Sequence, residues 1–204
     1  MKLLDILLRP KKGIDEIRED GLGQAAFFLV TLILFVFLFL TYTYLQQINA
    51  YLQQIGLGIT ITPKVYILAY VGFSVFFIIL AFFRCWIIHL FVRLFKGKHG
   101  YAETYKALVY GRAPEYISAP LLFLIFILVL RGMYLWVIIP GLLVAGLSVY
   151  QMVLRSSALA SLQGLSKGKA FLSIYVLGFI VQLLVLVVIE VILILLFLVV
   201  RSIG

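Results

Sequence analysis

Long apolar runs recur along the whole chain and restrict its fold more than any other feature. Each is about 20 residues or longer, enough to cross the hydrocarbon core of a bilayer. Only 12% of the 204 residues are charged, against about 25% in an average soluble domain. Because lipid cannot hydrogen-bond the backbone, such runs are expected to form helices. The predicted fold is therefore all-α, a polytopic bundle of membrane helices.

Five spans are predicted, at about residues 24–45, 65–95, 111–130, 134–154 and 171–200. They make up a transmembrane domain over 24–204. Residues 1–23 form a cytoplasmic amphipathic segment before it. Four leucines in this segment share one face of a short helix over residues 2–8, which we expect to lie on the membrane surface. Pro10 ends that helix, and a polar segment continues to Asp20.

The lysines and arginines predict the orientation. Thirteen of the 17 fall before the first span, around the 96–112 loop or in the 155–169 loop, whereas three fall on the other side and Arg84 lies within a span. The positive-inside rule then places the amino terminus in the cytoplasm and the carboxyl terminus outside a cell membrane. We expect the cytoplasmic loops to face anionic lipid headgroups or partner proteins through Lys96, Lys98, Lys106, Arg112, Lys167 and Lys169. This placement favours lipid over nucleic acid as the reason for the net charge of +9.

Four ionisable groups lie within or near spans, where an unpaired charge is costly. Arg84 and Glu115 fall on the same leaflet side of spans two and three, so an ion pair is predicted between them. The pair either fixes helix packing or marks a polar pocket open to the cytoplasm. His89 is expected at the interface, with a proton relay as the alternative. Glu190 is expected to bond another helix or a second copy of itself, or to form a substrate or proton site.

Two further patterns leave alternatives open. Pro114, Pro120 and Pro140 each remove a backbone donor from a span, which produces either packing kinks or a broken span of the kind that lines transporter sites. The segment YLQQI occurs at 44–48 and again at 51–55. Its apolar stripe could rest on its own chain or contact a second copy, which makes a homo-oligomer possible.

Several catalytic patterns are missing from the sequence. It contains no HExxH pair, no GxxxxGK[ST] loop and no aspartate within a predicted span. The lone cysteine, Cys85, lies in an apolar run and cannot form an intrachain disulfide. We therefore expect no enzymatic activity, no cofactor and no metal site.

Three segments together resemble the Yip domain family of membrane proteins, named for interaction with Ypt/Rab GTPases. They are LLRPKKGIDEIRED before span one, FKGKHGYAETYKALVYGRAP around the start of span three, and GLSKGKA before span five. The second segment carries a glycine-aromatic turn followed by Y-x-x-x-P, through Gly97, Gly100, Tyr101, Tyr110, Gly111 and Pro114. The short segment before span one is similar to that of the prokaryotic members. The resemblance implies a five-span protein that organises membranes or acts in trafficking.

Two functions follow from these observations. The first is a non-enzymatic adaptor or scaffold that presents a basic cytoplasmic face. The second is a small transporter, channel or lipid-translocating protein with a pocket near Arg84 and Glu115. A water- or lipid-accessible cavity at bilayer depth would favour the second, and a filled bundle the first.

Overall fold

A computed structural model of the protein describes residues 2–54, 56, 62–180 and 183. Within these residues the chain is helical and has no strand, which confirms the all-α class. The elements are α1 Lys2–Leu8, α2 Pro10–Glu19, α3 Leu22–Gln54, α4 Pro63–Leu94, α5 Tyr101–Tyr110, α6 Glu115–Leu130, a 3-10 turn Tyr134–Val137, α7 Ile138–Gln163, α8 Lys167–Phe171 and a π-helical segment Leu172–Leu177.

Local sequence explains where the long helices begin and end. The Thr62 hydroxyl accepts a 3.4 Å bond from the N–H of Val65, and Pro63 follows as the first residue of α4, where a missing N–H costs nothing. α6 and α7 end where Gly132 and Gly164 take left-handed backbone conformations, with φ of 70° and 64°. The N–H after each glycine bonds back to the last turn, which satisfies a carbonyl that the helix leaves free.

Two helical stretches are long and apolar enough to cross a membrane, Tyr70–Leu94 and Tyr134–Gln163. Helices α5 and α6 pass the same test only together, because Tyr101–Tyr110 and Glu115–Val129 meet at a bend of 40°. They form either a broken span or a re-entrant loop. The part of the chain that the structure describes thus contains two to three candidate spans. Five spans and the orientation of the termini remain predictions.

The prediction of polar loops at 96–112 and 155–169 is wrong over much of each segment. Residues 101–110 form α5, which packs against α2, α3, α4 and α7, and every residue from Thr104 to Tyr110 is buried. Helix α7 continues to Gln163 instead of ending at 154. Small residues in SSALASLQ allow that close packing, and polar residues of α5 find partners inside the bundle.

The amino-terminal segment belongs to the packed core. The residues predicted as a polar segment form α2, which buries Ile14 and Ile17 and packs on α5 and α7. α1 forms where the sequence predicts it and buries Ile6, while Leu4 and Leu8 remain 61% and 75% exposed. Two exposed leucines on a short helix agree with contact at a membrane surface.

The last predicted span begins within the described part of the chain. α8, the π-helical segment and a helical stretch to residue 180 cover its start. Most of 181–200, including Glu190, lies outside the described residues, as does Ile55 of the second YLQQI segment.

The predicted orientation can be tested by cysteine labelling. Cys85 is buried, so Cys85→Ala gives a cysteine-free background. His99 and Lys64 are exposed near opposite ends of α4. If the basic loops are cytoplasmic, a membrane-impermeant maleimide labels Lys64→Cys in intact cells and labels His99→Cys only after permeabilisation. Labelling of His99→Cys in intact cells would reverse the orientation.

Candidate functional site

The chain breaks between α5 and α6 because Pro114 has no backbone N–H to continue a helix. Residues 111–114 form tight turns instead, in which Arg112 and Ala113 bond back to Val109 and Tyr110 at 3.0 Å. Helix α6 then starts at Glu115. The break therefore brings Arg112 and Glu115 next to each other at the side of α7.

The Glu115 carboxylate receives five hydrogen-bonding contacts, which involve both of its oxygens and three side chains. Arg112 donates at 2.7 Å, 2.9 Å and 3.0 Å, Gln151 donates at 2.7 Å and Arg155 donates at 3.0 Å. Gln151 and Arg155 are four residues apart on α7, so they lie one above the other on the same face. We call Arg112, Glu115, Gln151 and Arg155 the Glu115 cluster. It ties the break between α5 and α6 to the middle of α7.

Gly111 provides the space that lets Arg155 reach the cluster. A Cβ at Gly111 would lie 2.5 Å from Cγ and 3.0 Å from Cα of Arg155, and 2.8 Å from the carbonyl oxygen of Ala107. Any side chain at this position would therefore push α5 away from α7. Gly111, which the sequence singles out as part of a glycine-aromatic turn, has a packing reason for lacking a side chain.

A cavity of about 480 Å³ lies beside the Glu115 cluster. Its polar wall comprises Arg84 and the four cluster residues, whereas its remaining lining is mainly apolar and comes from α3, α4, α5 and the π-helical segment. Neither Pro114 nor Pro140 lines it. Arg84 and Glu115 thus line one cavity, which is polar on one side and mainly apolar elsewhere.

The predicted ion pair between Arg84 and Glu115 is not formed. Glu115 pairs with Arg112 and Arg155 instead. Arg84 lies on the wall of the same cavity, but the described residues offer it no ion pair or hydrogen bond. The reason is that α7 packs against α6 beside Glu115, so Arg155 of α7 reaches the carboxylate.

His89 is buried in a second polar network at the basic end of the bundle, where α4 and α7 finish. Its Nδ1 lies 2.9 Å from the hydroxyl of Thr104, which also accepts a 2.9 Å bond from Gln163. The Gln163 side chain further bonds the backbone of His99 and Gly100 at 3.1 Å and 3.0 Å. His89 therefore joins α4 to α5 and α7.

Two predicted site residues on α5 connect it to the end of α2. Lys106, expected to face lipid, is only 4% exposed because it pairs with Glu103 at 2.7 Å and donates to the carbonyl of Arg18 at 2.9 Å. The Tyr110 hydroxyl donates to Asp20 at 2.6 Å in the core. Lys106 and Arg112 therefore do not belong to the predicted basic face, because Lys106 is buried and Arg112 is bonded to Glu115.

A family comparison agrees with this architecture. The model of the Yip1 domain matches residues 4–189, which extend from within α1 to beyond the π-helical segment. The chain belongs to the Yip1 domain family. The sequence-based assignment is confirmed, and with the apolar helices it makes the chain a membrane protein. Comparisons with curated proteins and with solved structures give no match.

In this Yip1-domain protein the other predicted basic residues are exposed. Lys96 and Lys98 lie after α4, and Lys167 and Lys169 lie in α8. The turn that carries Lys96 and Lys98 lies next to the turn that precedes Lys167 and Lys169. The two turns are joined by the N–H of Lys98, which donates to the carbonyl of Gln163 at 3.0 Å.

Sequence reasoning missed four residues that hold these networks together: Gln151, Arg155, Gln163 and Asp20. The sequence predicts a loop at Arg155 because the apolar run ends at Leu154. A signal was available, since no helix-breaking residue follows until Gly164 and Gln151 and Arg155 have helical spacing. Nothing in the linear sequence pairs Asp20 with Tyr110, because they are distant along the chain.

Gly111→Ala tests the close approach of α5 and α7. The added methyl group meets the Arg155 backbone and the Ala107 carbonyl, so we expect a loss of about 1–3 kcal/mol of stability, as overpacking typically costs. The matched control is Gly146→Ala on α7, where a Cβ meets nothing within 4 Å. Thermal unfolding in detergent should show a lower midpoint for Gly111→Ala alone. Equal midpoints for the two variants would contradict the packing.

Glu115→Gln tests the cluster itself. It leaves Arg155, which is 14% exposed, beside Arg112 without a neutralising charge. We expect a loss of about 3 kcal/mol, the lower end of the cost of removing one partner of a buried pair, because the cluster is partly exposed. Glu19→Gln, at an exposed acid on α2, is the control. The same unfolding midpoint in both variants would show that the cluster contributes nothing.

Proposed function

We propose that this Yip1-domain protein is a non-enzymatic membrane adaptor or scaffold that organises membranes in a trafficking-like role. It acts through a basic surface at the end of the bundle predicted to be cytoplasmic. Family membership supports the membrane role. The single observation that carries the proposal is the clustering of five cationic residues at the end of α4, on the turn after it and in the adjacent α8: Arg93, Lys96, Lys98, Lys167 and Lys169. We call these five residues the basic surface.

The composition of the two turns makes their surface strongly positive. Residues 93–100 and 164–169 contain no aspartate or glutamate. The Lys98 side chain lies over Gly164, where a Cβ would be 3.2 Å from its Cδ, so the two turns form one surface. Each exposed lysine or arginine attracts an anionic membrane by about 1 kcal/mol. Together they favour contact with an acidic membrane, with the range limited by salt to about 8–10 Å.

The support beneath this surface is well connected. Gln163 bonds to Thr104 and to the backbone at His99 and Gly100, directly under the turns. Gly97 packs so closely that a Cβ would lie 2.5 Å from Val92 Cγ1. A charged surface held in one arrangement loses less conformational entropy on binding, which suits a docking role.

A second candidate is a transporter, channel or lipid-translocating protein. The cavity beside the Glu115 cluster is the specific observation that favours it, because a polar wall next to candidate spans is typical of sites that admit a ligand within the bilayer. Binding in this cavity and docking through the basic surface use different residues, so one protein could do both.

Neutralising the basic surface tests the leading proposal. We expect proteoliposomes with this end outward to cluster phosphatidylglycerol vesicles and not phosphatidylcholine vesicles. The fourfold variant Lys96→Gln, Lys98→Gln, Lys167→Gln and Lys169→Gln should cluster these vesicles less. Each charge removed lowers the free energy of attraction to the anionic membrane by about 1 kcal/mol. Light scattering measures the clustering, and added salt should reduce it in the wild type.

The matched control changes cations away from this surface, Lys64→Gln with Arg131→Gln, and should cluster vesicles like the wild type. Orientation in each preparation is checked by labelling His99→Cys. Clustering that survives the fourfold variant would refute docking of acidic membranes by the basic surface.

A further inference from the structure

The cavity beside the Glu115 cluster carries more positive than negative charge. Three of the side chains in its wall are guanidinium groups, from Arg84, Arg112 and Arg155, and one is a carboxylate, from Glu115. Glu115 already bonds to Arg112, Arg155 and Gln151. One carboxylate cannot neutralise three guanidinium groups, so the cavity favours an anion.

Two of these guanidinium groups retain unused hydrogen-bonding capacity. Nε of Arg155 is buried and makes no close hydrogen bond within the described part of the chain, and the same holds for the buried hydroxyl of Tyr175 beside that arginine. A buried donor without a partner is costly. Arg84 lines the cavity, and among the described residues it has neither an ion pair nor a hydrogen bond. It lies ten residues before Leu94 on α4, about 15 Å along the helix at 1.5 Å per residue. An unpaired charge at such a depth calls for a counter-ion.

The other walls of the cavity suit hydrocarbon. Phe77 and Leu80 of α4 line it and are also 45% and 41% exposed on the outside of the bundle. They belong to a candidate membrane span, Tyr70–Leu94. The cavity thus joins a cationic polar end to an apolar surface that faces the lipid. A volume of about 480 Å³ holds a headgroup but not a pair of acyl chains.

We propose that this cavity binds the anionic phosphate headgroup of a membrane phospholipid. Arg84 and Arg155 bond the phosphate, and the acyl chains lie along Phe77 and Leu80. The inference rests on the cavity of the second candidate function and concerns binding alone, so it holds whether or not the lipid is moved across the membrane. It is independent of the basic surface.

The test uses the full chain in a neutral detergent and measures the thermal unfolding midpoint against added ligand. We expect a short-chain phosphatidylglycerol to raise the midpoint and a phosphatidylcholine with the same chains to raise it much less. Arg84→Gln should weaken phosphatidylglycerol binding about tenfold or more, as loss of a hydrogen bond to a charged group does. Arg131→Gln, at an exposed arginine that belongs neither to the cavity wall nor to the basic surface, should bind like the wild type.

Three outcomes would overturn the inference. Equal stabilisation by phosphatidylcholine would remove the anionic headgroup as the ligand. Equal stabilisation by inorganic phosphate would assign the site to a free anion. Equal binding by Arg84→Gln and Arg131→Gln would place the lipid elsewhere. If Arg84→Gln does not fold, Ala81→Phe, which fills the cavity without removing a charge, should abolish the phosphatidylglycerol effect. A lipid-scrambling assay distinguishes binding in the cavity from movement of lipid across the membrane. Binding without scrambling would rule out only the second candidate function.

Discussion

The Glu115 cluster fixes the arrangement of the rest of the bundle. Proline stops α5 near its end, so α5 and α6 are held at their angle by contacts from outside rather than by a continuous helix. Those contacts come from α7, through Gln151 and Arg155. Because charge-assisted bonds are directional, they select one position of the break along α7. The close approach at Gly111 follows from the same geometry.

A gradient of packing runs along the bundle. The buried core includes α5, the last turns of α4 and α7, and the amino-terminal helices, all at the basic end. Exposed apolar residues dominate the earlier part of α4 and the first half of α7. The basic end therefore resembles a small water-soluble core, while the opposite half presents side chains that lipid can solvate. Such a division suits a protein that holds its charged surface in place and lets lipid cover the remainder.

The sequence predicts helix type and approximate position well, because an apolar run in lipid has few alternatives to a helix. It also identifies Arg84 and Glu115 as neighbours of one polar pocket. It fails where polar residues are satisfied by tertiary contacts. From the sequence alone Lys106 resembles a loop lysine, whereas in the fold it bonds to the Arg18 carbonyl and pairs with Glu103. Arg155 resembles a residue at a membrane boundary until α7 is seen to continue. Pairings of this kind depend on which helices are adjacent, which no local pattern specifies.

The attachment of the amino-terminal helices has a mechanical consequence. α2 is joined to α5 by Lys106 at Arg18, and the residue after α2 is joined by Tyr110 at Asp20. α1 is held by the Tyr150 hydroxyl, which donates to the Leu7 carbonyl at 2.7 Å. Any force that a curved or crowded bilayer exerts on the exposed leucines of α1 is thus transmitted to α5 and α7. α1 is thus mechanically coupled to the bundle rather than loosely attached to it.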